Sequence, residues 1–348
     1  MSKTPILLLG PTGYLGSTVL SRLLAHPKKD TFEVTVLIRS EDKARKLETF
    51  GVKPVIGSIK DTALVEKLAE QAHVIFNIAD SDDMGATKGF LAGSKKRHKK
   101  TGDVPVIIHT SGTGIFMFAG ANNGLSITDR IFSDDDAEDI DKSTPDSALH
   151  RNVDLVVLKA DEEGYAKTYL VLPSTIWGVA SNPIIDAGIA NKFSIQVPAM
   201  IRAAIGRGQA GIVGKGQGLW NGINVNEQAE FYVTLYDAIT TNPSAVGHGH
   251  NGYYFGENGE YTWYELAKAI GKALVKRGLS TSDEPTTFSK EELIKYFWTE
   301  EISGIWGSNA RVKAPRARSL GWQPKLTIED FLASIDAEVE AHLKHQKA

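Results

Sequence analysis

Three glycines, spaced three residues apart, follow an apolar run near the start of the 348-residue chain. Gly10 closes the run, Gly13 stands in the turn, and Gly16 falls within a helical pattern with leucine and valine on one side. In this arrangement the first glycine permits a tight turn, the second lets the backbone approach a pyrophosphate, and the third lets helix and strand pack closely. The helix amides and dipole favour an anion there, so the motif predicts a dinucleotide site. A glycine-rich turn without a ligand is the alternative interpretation.

A cation stands at the position that distinguishes the two nicotinamide dinucleotides. The second apolar run ends at Arg39 and Ser40, where an NAD site usually has an acidic residue for the ribose 2′-hydroxyl. Arg39 instead offers a guanidinium to a 2′-phosphate, and Ser40 offers a hydroxyl and an amide. The sequence therefore predicts NADP(H) in preference to NAD(H). The alternative is a surface arginine that happens to follow the strand.

Both motifs depend on strands and helices to position them, and the first half of the chain alternates between such patterns. Apolar runs typical of buried parallel strands lie at 6–9, 34–38, 52–56, 74–78, 106–110 and 170–172. Helical patterns separate them. This alternation predicts an α/β fold with a doubly wound parallel Rossmann sheet.

The second half of the chain is less regular. The acidic stretch 122–147 is interpreted as a surface loop insertion, and glycines become frequent after residue 179. Amphipathic helices are predicted at about 262–277 and 328–343. These features predict a smaller, irregular C-terminal substrate domain that rests on the sheet.

The predicted elements divide the chain into two domains. We expect residues 1–178 to form the NAD(P)-binding Rossmann domain, with part of 224–255 returning to it. The smaller substrate-binding domain is expected to comprise 179–223 and 256–348.

Composition and charge exclude several functional classes. Apolar residues make up 42% of the chain and the net charge is −3, which gives no reason to expect nucleic acid or an anionic membrane as a partner. Cysteine is absent, so disulfides, thiolate metal sites and cysteine nucleophiles are excluded, and we predict no metal site. No apolar run approaches the roughly 20 residues of a membrane helix. We expect a cytoplasmic protein that binds a small-molecule substrate.

Several segments together resemble the extended and atypical short-chain dehydrogenase/reductase superfamily. Beside the Gly-x-x-Gly-x-x-Gly spacing, they lie at 55–61, 74–79, 109–114, 172–178, 307–311 and 320–324. The resemblance covers most of the chain and implies a Rossmann fold with an NAD(P) cofactor. Two-helix dimer interfaces are common in the superfamily, so a homodimer is compatible with it.

The resemblance also implies which residues contact the cofactor. Ser58 stands where an aspartate usually receives the adenine amino group, and Ala79 ends the strand beside the cofactor ribose. The segment at 172–178 lies beside the nicotinamide. The predicted cofactor contacts are Gly10, Thr12, Gly13, Tyr14, Leu15, Gly16, Arg39, Ser40, Ser58, Ala79, Thr110, Pro173, Ser174 and Thr175.

The helix that follows the acidic stretch lacks the Tyr-x-x-x-Lys pair with which superfamily members transfer a proton. In the most natural register His150 stands at the tyrosine position and Asp154 at the lysine position. An i, i+4 pair of this kind is expected to form a charge-assisted hydrogen bond, and a histidine so oriented can act as a general acid or base. The alternative is a helix cap or surface pair in a protein without the usual chemistry. Ser111 or Thr113 takes the place of the catalytic serine or threonine and is expected to hydrogen-bond a carbonyl oxygen.

The predicted substrate side is apolar and rich in amides. Trp177, Gln196 and Trp220 are candidate pocket residues, although aromatic side chains there can equally be core. Trp220 falls about where nucleotide-sugar epimerases and dehydratases have an arginine for the substrate diphosphate, and an indole cannot replace that cation.

Two functions of different classes follow from the sequence. The first is an NADPH-dependent reductase of a small apolar carbonyl compound. The second is a catalytically silent NADP(H)-binding redox sensor or regulator. An epimerase or dehydratase is less favoured because of Trp220. The placement of the His150 side chain discriminates between the first two.

Overall fold

A seven-stranded parallel sheet forms the centre of the computed structural model, which describes residues 3–120, 123–297 and 304–346. The described strands are β1 (Thr4–Leu9), β2 (Phe32–Ile38), β3 (Lys53–Ile56), β4 (Val74–Asn77), β5 (Val106–Thr110), β6 (Phe132–Ser133), β7 (Lys167–Pro173), β8 (Thr175–Trp177), β9 (Gly211–Ile212), β10 (Leu219–Asn224), β11 (Tyr253–Gly256), β12 (Glu260–Thr262), β13 (Thr286–Thr287) and β14 (Val312–Lys313). The described helices are α1 (Tyr14–Leu24), α2 (Glu41–Glu48), α3 (Thr62–Gln71), α4 (Met84–Thr101), α5 (Ala137–Ser143), α6 (Arg151–Glu162), α7 (Pro183–Asp186), α8 (Gln196–Arg207), α9 (Val225–Thr241), α10 (Trp263–Lys276), α11 (Lys290–Phe297), α12 (Pro315–Ser319) and α13 (Ile328–Gln346).

The order of the strands locates the expected binding edge. The sheet runs β11-β7-β5-β4-β1-β2-β3, and every neighbouring pair is parallel. The winding direction reverses between β1 and β4. Ligands of parallel α/β sheets bind at the carboxyl ends of the strands beside such a reversal. The residues after β1, β4 and β5 are therefore placed to form a site.

The strands form where the sequence is continuously apolar, because helices cover both faces of the sheet. Ile6, Leu7, Leu8 and Leu9 are at most 1% exposed. Helix α1 packs beside α9, and α4 packs between α3 and α6. The doubly wound Rossmann fold and its six predicted strands are confirmed, with boundaries that shift by a few residues. Strand β11 extends the sheet beyond them.

A second, smaller core lies under α8, α10 and α13. It is built on the three-stranded sheet β12-β10-β8, in which β10 pairs antiparallel with β12 and parallel with β8. The predicted amphipathic helices correspond to α10 and α13, and α10 begins with a capping box of Thr262 and Glu265. No helix in the described ranges is both long enough and apolar enough to cross a bilayer.

The acidic stretch interpreted as a surface loop is partly buried, which corrects that interpretation. Its first residue, 122, lies outside the described residues, and the remainder contains β6 and α5. Asp134 is fully buried, and its carboxylate accepts hydrogen bonds from the amides of Phe255, Arg316 and Ala317. Burial raises the pKa of Asp134 to about 6, although those hydrogen bonds act in the opposite direction. The stretch ties the start of α12 to the central sheet.

Helix α6 is fixed by a buried cation, Arg151, which is its first residue. The Arg151 guanidinium, 2% exposed, donates to the Asp141 carboxylate at 2.8 Å and to the Tyr253 hydroxyl at 2.7 Å. An isolated buried cation is costly, so these contacts hold the helix in one position against β11 and α5. The contacts of Arg151 therefore also fix the positions of its neighbours His150 and Asp154.

Candidate functional site

Two of the three motif glycines are required by the fold itself. Gly10 has a φ of +89°, and a Cβ there would lie 2.5 Å from the carbonyl oxygen of Ile78. A Cβ on Gly16 would lie 2.0 Å from the carbonyl oxygen of Gly10. Side chains at these positions would separate β1 from the end of β4 and from α1. The two glycines thus allow three elements to meet at the winding reversal.

Gly13 has no such structural requirement. Its φ is −74°, and a Cβ would come only to 3.4 Å from the Gly10 carbonyl oxygen, an ordinary contact. Gly13 is the N-cap of α1, and without a side chain it leaves the first helix amides uncapped. A glycine that neither packing nor backbone conformation explains fits the close approach of a phosphate to the main chain. The loop therefore fits a dinucleotide.

The end of β2 presents a cation to solvent. The Arg39 side chain is exposed and, among the described residues, has neither a hydrogen bond nor an ion pair. Ser40 caps α2, because its hydroxyl accepts a hydrogen bond from the Lys43 amide at 3.4 Å. Ser58, after β3, is half-buried, and its hydroxyl accepts from the Lys60 amide at 3.2 Å. The guanidinium is thus available to an anionic ligand.

Three of the other predicted cofactor residues have hydroxyl groups that are bonded within the protein. The Thr110 hydroxyl lies 2.7 Å from that of Tyr232, and the Thr175 hydroxyl lies 2.8 Å from that of Tyr261. Ser174 donates to the Gly256 carbonyl at 2.7 Å. Contacts from these positions to a ligand would therefore come from the backbone. Ala79 and Pro173 follow β4 and end β7 respectively, and Leu15 is buried in α1.

The glycine loop is bonded to the segment that follows β8. The Tyr14 hydroxyl donates to the Gly178 carbonyl at 2.6 Å, and the Asn191 amide donates to the Thr12 carbonyl at 3.0 Å. The Gly178 amide in turn donates to the Glu338 carboxylate on α13 at 2.8 Å. Glu338 is only 2% exposed. Burial, with Glu338 nearby, raises the pKa of Tyr14 well above its usual value.

His150 is held by a carboxylate, but not by the predicted one. Its Nδ1 lies 2.7 Å from Asp82 Oδ1 and 3.2 Å from Ser81 Oγ, both in the loop after β4. The hydrogen bond from His150 holds the pKa of Asp82 below its usual value. The predicted pairing of His150 with Asp154 is wrong. His150 is the N-cap of α6 with a left-handed φ of 68°, so it lies off the helical face that carries Asp154.

Asp154 belongs to a separate, buried network. Its Oδ2 accepts a hydrogen bond from Ser111 Oγ at 2.7 Å, and its Oδ1 faces His109 Nε2 at 3.6 Å. His109 and Asp154 are fully buried. The Asn77 amide nitrogen lies 2.9 Å from His109 Nδ1. Asn77 ends β4, His109 lies in β5, Asp154 lies in α6, and Ser111 begins the loop that follows β5.

His150 and Ser111 flank the same backbone, whereas Thr113 is directed away. A Cβ on Gly112 would lie 3.3 Å from His150 Nε2, so that nitrogen lies over the peptide that follows Ser111. Thr113 is fully buried, and its hydroxyl has no partner among the described residues. The structure thus brings His150 and Ser111 together and leaves Thr113 in the core.

The predicted pocket aromatics lie inside the second core. Trp177 stacks on Phe331, and Trp220 donates through Nε1 to the Ser308 carbonyl at 3.2 Å. Each indole is 3% exposed, which favours the core alternative for both. Gln196 is half-buried at the start of α8.

Four residues in or next to the candidate site were not predicted from the sequence, and they are Asn77, Asp82, His109 and Glu338. Asp82 and Asn77 are separated from their histidine partners by 68 and 32 residues, so no local pattern indicates the contacts. His109 is one polar residue in an apolar strand. Glu338 does leave a signal, because it interrupts the apolar face of α13 that carries Phe331, Ile335 and Val339.

The strand order, the winding reversal and the glycine loop define a doubly wound Rossmann protein. The Rossmann fold that the sequence resemblance implies is confirmed. Residues 2–91 match the sequence model of the NmrA-like family.

Two curated proteins are similar over nearly their whole length. The oxidase ucsJ from an Acremonium species is 27% identical over 328 residues, which cover 90% of this chain and 91% of the relative. An uncharacterized Schizosaccharomyces pombe protein is 24% identical, covering 92% and 94%.

Solved structures share the fold over the full chain at low identity. A UDP-glucose 4-epimerase from Thermotoga maritima, solved with UDP-glucose, superposes with a TM-score of 0.65 at 16% identity and covers 98% of this chain and 100% of that one. A dTDP-glucose 4,6-dehydratase from Bacillus anthracis, in complex with NAD, has a TM-score of 0.64 at 16% identity and covers 99% and 98%.

Replacement of Gly13 by alanine should separate ligand binding from folding. Gly13→Ala adds a methyl in ordinary contact with the protein, so the free energy of unfolding should change by no more than about 1 kcal/mol. The same methyl would stand where a pyrophosphate approaches the backbone, and the Kd for NADPH should rise at least about tenfold. Urea denaturation and nicotinamide fluorescence titration measure the two effects.

The matched control is Gly16→Ala, whose Cβ would lie 2.0 Å from the Gly10 carbonyl oxygen. That variant should lose at least about 2 kcal/mol of stability. Unchanged NADPH affinity in Gly13→Ala would contradict the assignment of Gly13 to a nucleotide site.

A second prediction concerns pH and Glu338. Burial raises the pKa of Glu338 to about 7 from its ordinary 4.5, so the folded state keeps this proton to a higher pH than the unfolded state. The associated stability is fully present below about pH 4.5 and is lost as the pH rises to about 7. Glu338→Gln imitates the protonated side chain and should be more stable than wild type above that range, by up to roughly 3 kcal/mol.

Urea denaturation of both proteins at a series of pH values gives the difference, which cancels the contribution of Asp134 because both proteins contain it. Glu340→Gln, an exposed change on the same helix, is the control. Parallel stability curves for wild type and Glu338→Gln would refute the prediction.

Proposed function

We propose that the protein is an NADP(H)-dependent oxidoreductase of the atypical short-chain dehydrogenase/reductase type, a reductase of a small apolar carbonyl compound. The observation that carries the proposal is His150, whose Nδ1 is held by Asp82 while its Nε2 lies over Gly112 at the sheet edge. A left-handed backbone costs conformational energy for a residue other than glycine, and such residues cluster at active sites. This conformation at His150 therefore supports a functional role. Residues 1–178 would bind the cofactor, and 179–223 with 256–348 would contribute most of the substrate side.

The dinucleotide would lie along the carboxyl edge of the sheet, from Arg39 to Ser111. Gly13 and the uncapped amides of α1 would bind the pyrophosphate, and the free Arg39 guanidinium would bind a 2′-phosphate. The bound nicotinamide supplies or accepts a hydride at the substrate carbon. Solved proteins of this fold include dehydratases in complex with NAD, which supports a dinucleotide at this edge.

His150 would supply the proton in reduction. With both ring nitrogens protonated, its Nδ1–H donates to Asp82 and its Nε2–H is directed to the space above Gly112. Transfer of the Nε2 proton to the substrate oxygen leaves a neutral ring whose remaining N–H is still held by the carboxylate. Asp82 thereby fixes the orientation and the tautomer of the ring. The 27% identical relative, which is named an oxidase, is in agreement with redox chemistry.

A catalytically silent NADP(H) sensor is the second candidate, and one observation favours it. The position of the usual lysine holds Asp154, a buried carboxylate already bonded to Ser111, so that position offers no ammonium group to the cofactor ribose. An epimerase or dehydratase has less support, because the Trp220 indole is buried and bonded to Ser308. Tight NADPH binding without turnover of any carbonyl compound would favour the sensor.

The cofactor preference depends on Arg39. Arg39→Ser removes the cation proposed for the 2′-phosphate, and a charge-assisted hydrogen bond of roughly 1.5–3 kcal/mol corresponds to a rise in the NADPH Kd of about tenfold or more. The NADH Kd should change less than about threefold, since NADH lacks that phosphate. Fluorescence titration with both nucleotides measures the ratio. Arg45→Ser, which removes a cation paired with Asp42 on α2, is the control. Equal weakening of NADPH and NADH would contradict the proposal.

The catalytic role is tested at His150. Asparagine tolerates the left-handed backbone of this position, so His150→Asn should fold and bind NADPH like wild type. Carbonyl reduction, followed as absorbance loss of NADPH with a panel of aldehydes and ketones, should fall by about 10²–10⁴-fold, the contribution of a general acid. Asp82→Asn leaves the imidazole in place but removes the carboxylate that orients it, so it should cause a smaller loss. Full activity in His150→Asn would exclude histidine as the proton donor.

A further inference from the structure

Ser111 has a single hydroxyl proton, and the structure shows where that proton is directed. Ser111 Oγ donates to Asp154 Oδ2 at 2.7 Å, within a region from which solvent is excluded. A hydroxyl has one donor and two acceptor lone pairs. Once the proton is directed at the carboxylate, Ser111 offers only lone pairs to a ligand.

A histidine lies beside the other oxygen of this carboxylate. As the side chains are oriented, Asn77 Nδ2 donates to His109 Nδ1 at 2.9 Å, which makes Nε2 the ring nitrogen that carries a proton. That Nε2–H faces Asp154 Oδ1 at 3.6 Å. This separation is longer than a hydrogen bond, so the hydrogen bond that the Asp154 carboxylate accepts within the described residues comes from Ser111.

Ser111 lies close to the proposed proton donor, so the direction of its hydroxyl proton bears on how a substrate would bind. Ser111 begins the loop after β5, its amide is bonded to the Val171 carbonyl, and His150 Nε2 lies over the next residue, Gly112. Ser111 is 6% exposed, so a substrate oxygen beside His150 Nε2 would have to approach Ser111 Oγ from the side of its lone pairs. A carbonyl oxygen has no proton to offer Ser111, whereas an alcohol has one.

We infer that Asp154 is a positioning residue that fixes Ser111 as a hydrogen-bond acceptor, so that the site binds the alcohol member of its substrate pair in preference to the carbonyl member. The inference rests on the proposed function and adds the form in which the substrate is held. In the bound alcohol, the hydroxyl proton is donated to Ser111 Oγ, and the His150 imidazole lies on the other side of the oxygen. The ketone or aldehyde leaves the Ser111 lone pairs facing its own, which costs binding.

The test compares alcohols with the matching carbonyl compounds in the absence of turnover. The full-length protein is saturated with a tetrahydropyridine analogue of NADPH that cannot transfer hydride. Calorimetry then gives Kd values for cyclohexanol against cyclohexanone and for benzyl alcohol against benzaldehyde. Wild type should bind each alcohol at least about tenfold more tightly than its carbonyl partner, as expected for one hydrogen bond made or lost.

Asp154→Asn should reverse the polarity of Ser111. The asparagine amide can donate to Ser111 Oγ, which frees the serine proton for a carbonyl oxygen, so the preference should fall to less than about threefold or invert. Affinity for NADPH should be unchanged. Ser111→Ala removes the hydroxyl and should also abolish the preference, which keeps the test valid if Asp154→Asn does not fold. Glu163→Gln, just beyond the far end of α6, removes one carboxylate of the same chain region and should retain the wild-type preference.

The outcomes separate this inference from the function on which it rests. Equal binding of alcohol and carbonyl by wild type, or an unchanged preference in Asp154→Asn, would overturn the role of Asp154 while leaving the oxidoreductase intact. If NADPH binds but none of the four probes does, the small apolar carbonyl substrate is wrong, and the inference is overturned with it.

Discussion

The close approach of β1, β4 and α1 is the constraint from which the candidate site follows. Gly10 and Gly16 permit this approach, since a single methyl at either position would lie within 2.5 Å of a backbone oxygen. With the three elements in contact, the ends of neighbouring parallel strands lie side by side. Residues distant in sequence, Asp82 after β4 and Ser111 after β5, then face the start of α6.

Gly178 links the second core to this edge by hydrogen bonds on both of its sides. Gly178, which has a φ of 98°, accepts a hydrogen bond from Tyr14 in the glycine loop and donates one to Glu338 on α13. The C-terminal helix α13 is thus linked to the glycine loop through the two peptide units that flank Gly178. The carboxyl group of Glu338 is buried at this junction, so its protonation state is coupled to the packing of both cores.

The fold was predictable from sequence to a greater extent than the site. Continuous apolar runs and a glycine motif are local patterns, and a parallel sheet with helices on both faces follows from them with little ambiguity. The position of His150 was also predictable, but its partner was not. The sequence offered Asp154 four residues away, whereas the left-handed backbone at the N-cap turns His150 towards Asp82. Conformations of this kind depend on tertiary contacts.

Burial was the other property that the sequence did not disclose. Asp134 lies in a stretch of acidic residues typical of a surface loop, yet its carboxylate is bonded to three amides in the interior. Trp220 was as compatible with a pocket as with a core, and only the packing around Ser308 separates the two. Composition ranks residues by average exposure, but individual polar groups are buried when the fold supplies their partners.

The Ser111–Asp154 contact also restricts which side chains position 154 can hold. A lysine at this position would carry an ammonium group into a fully buried space beside His109, where the present carboxylate accepts from Ser111. Such a lysine would be compatible with the interior only if His109, and with it Asn77, changed as well. A single substitution would leave a buried polar group unpaired. Position 154 is thus epistatic with two neighbouring strands of the central sheet.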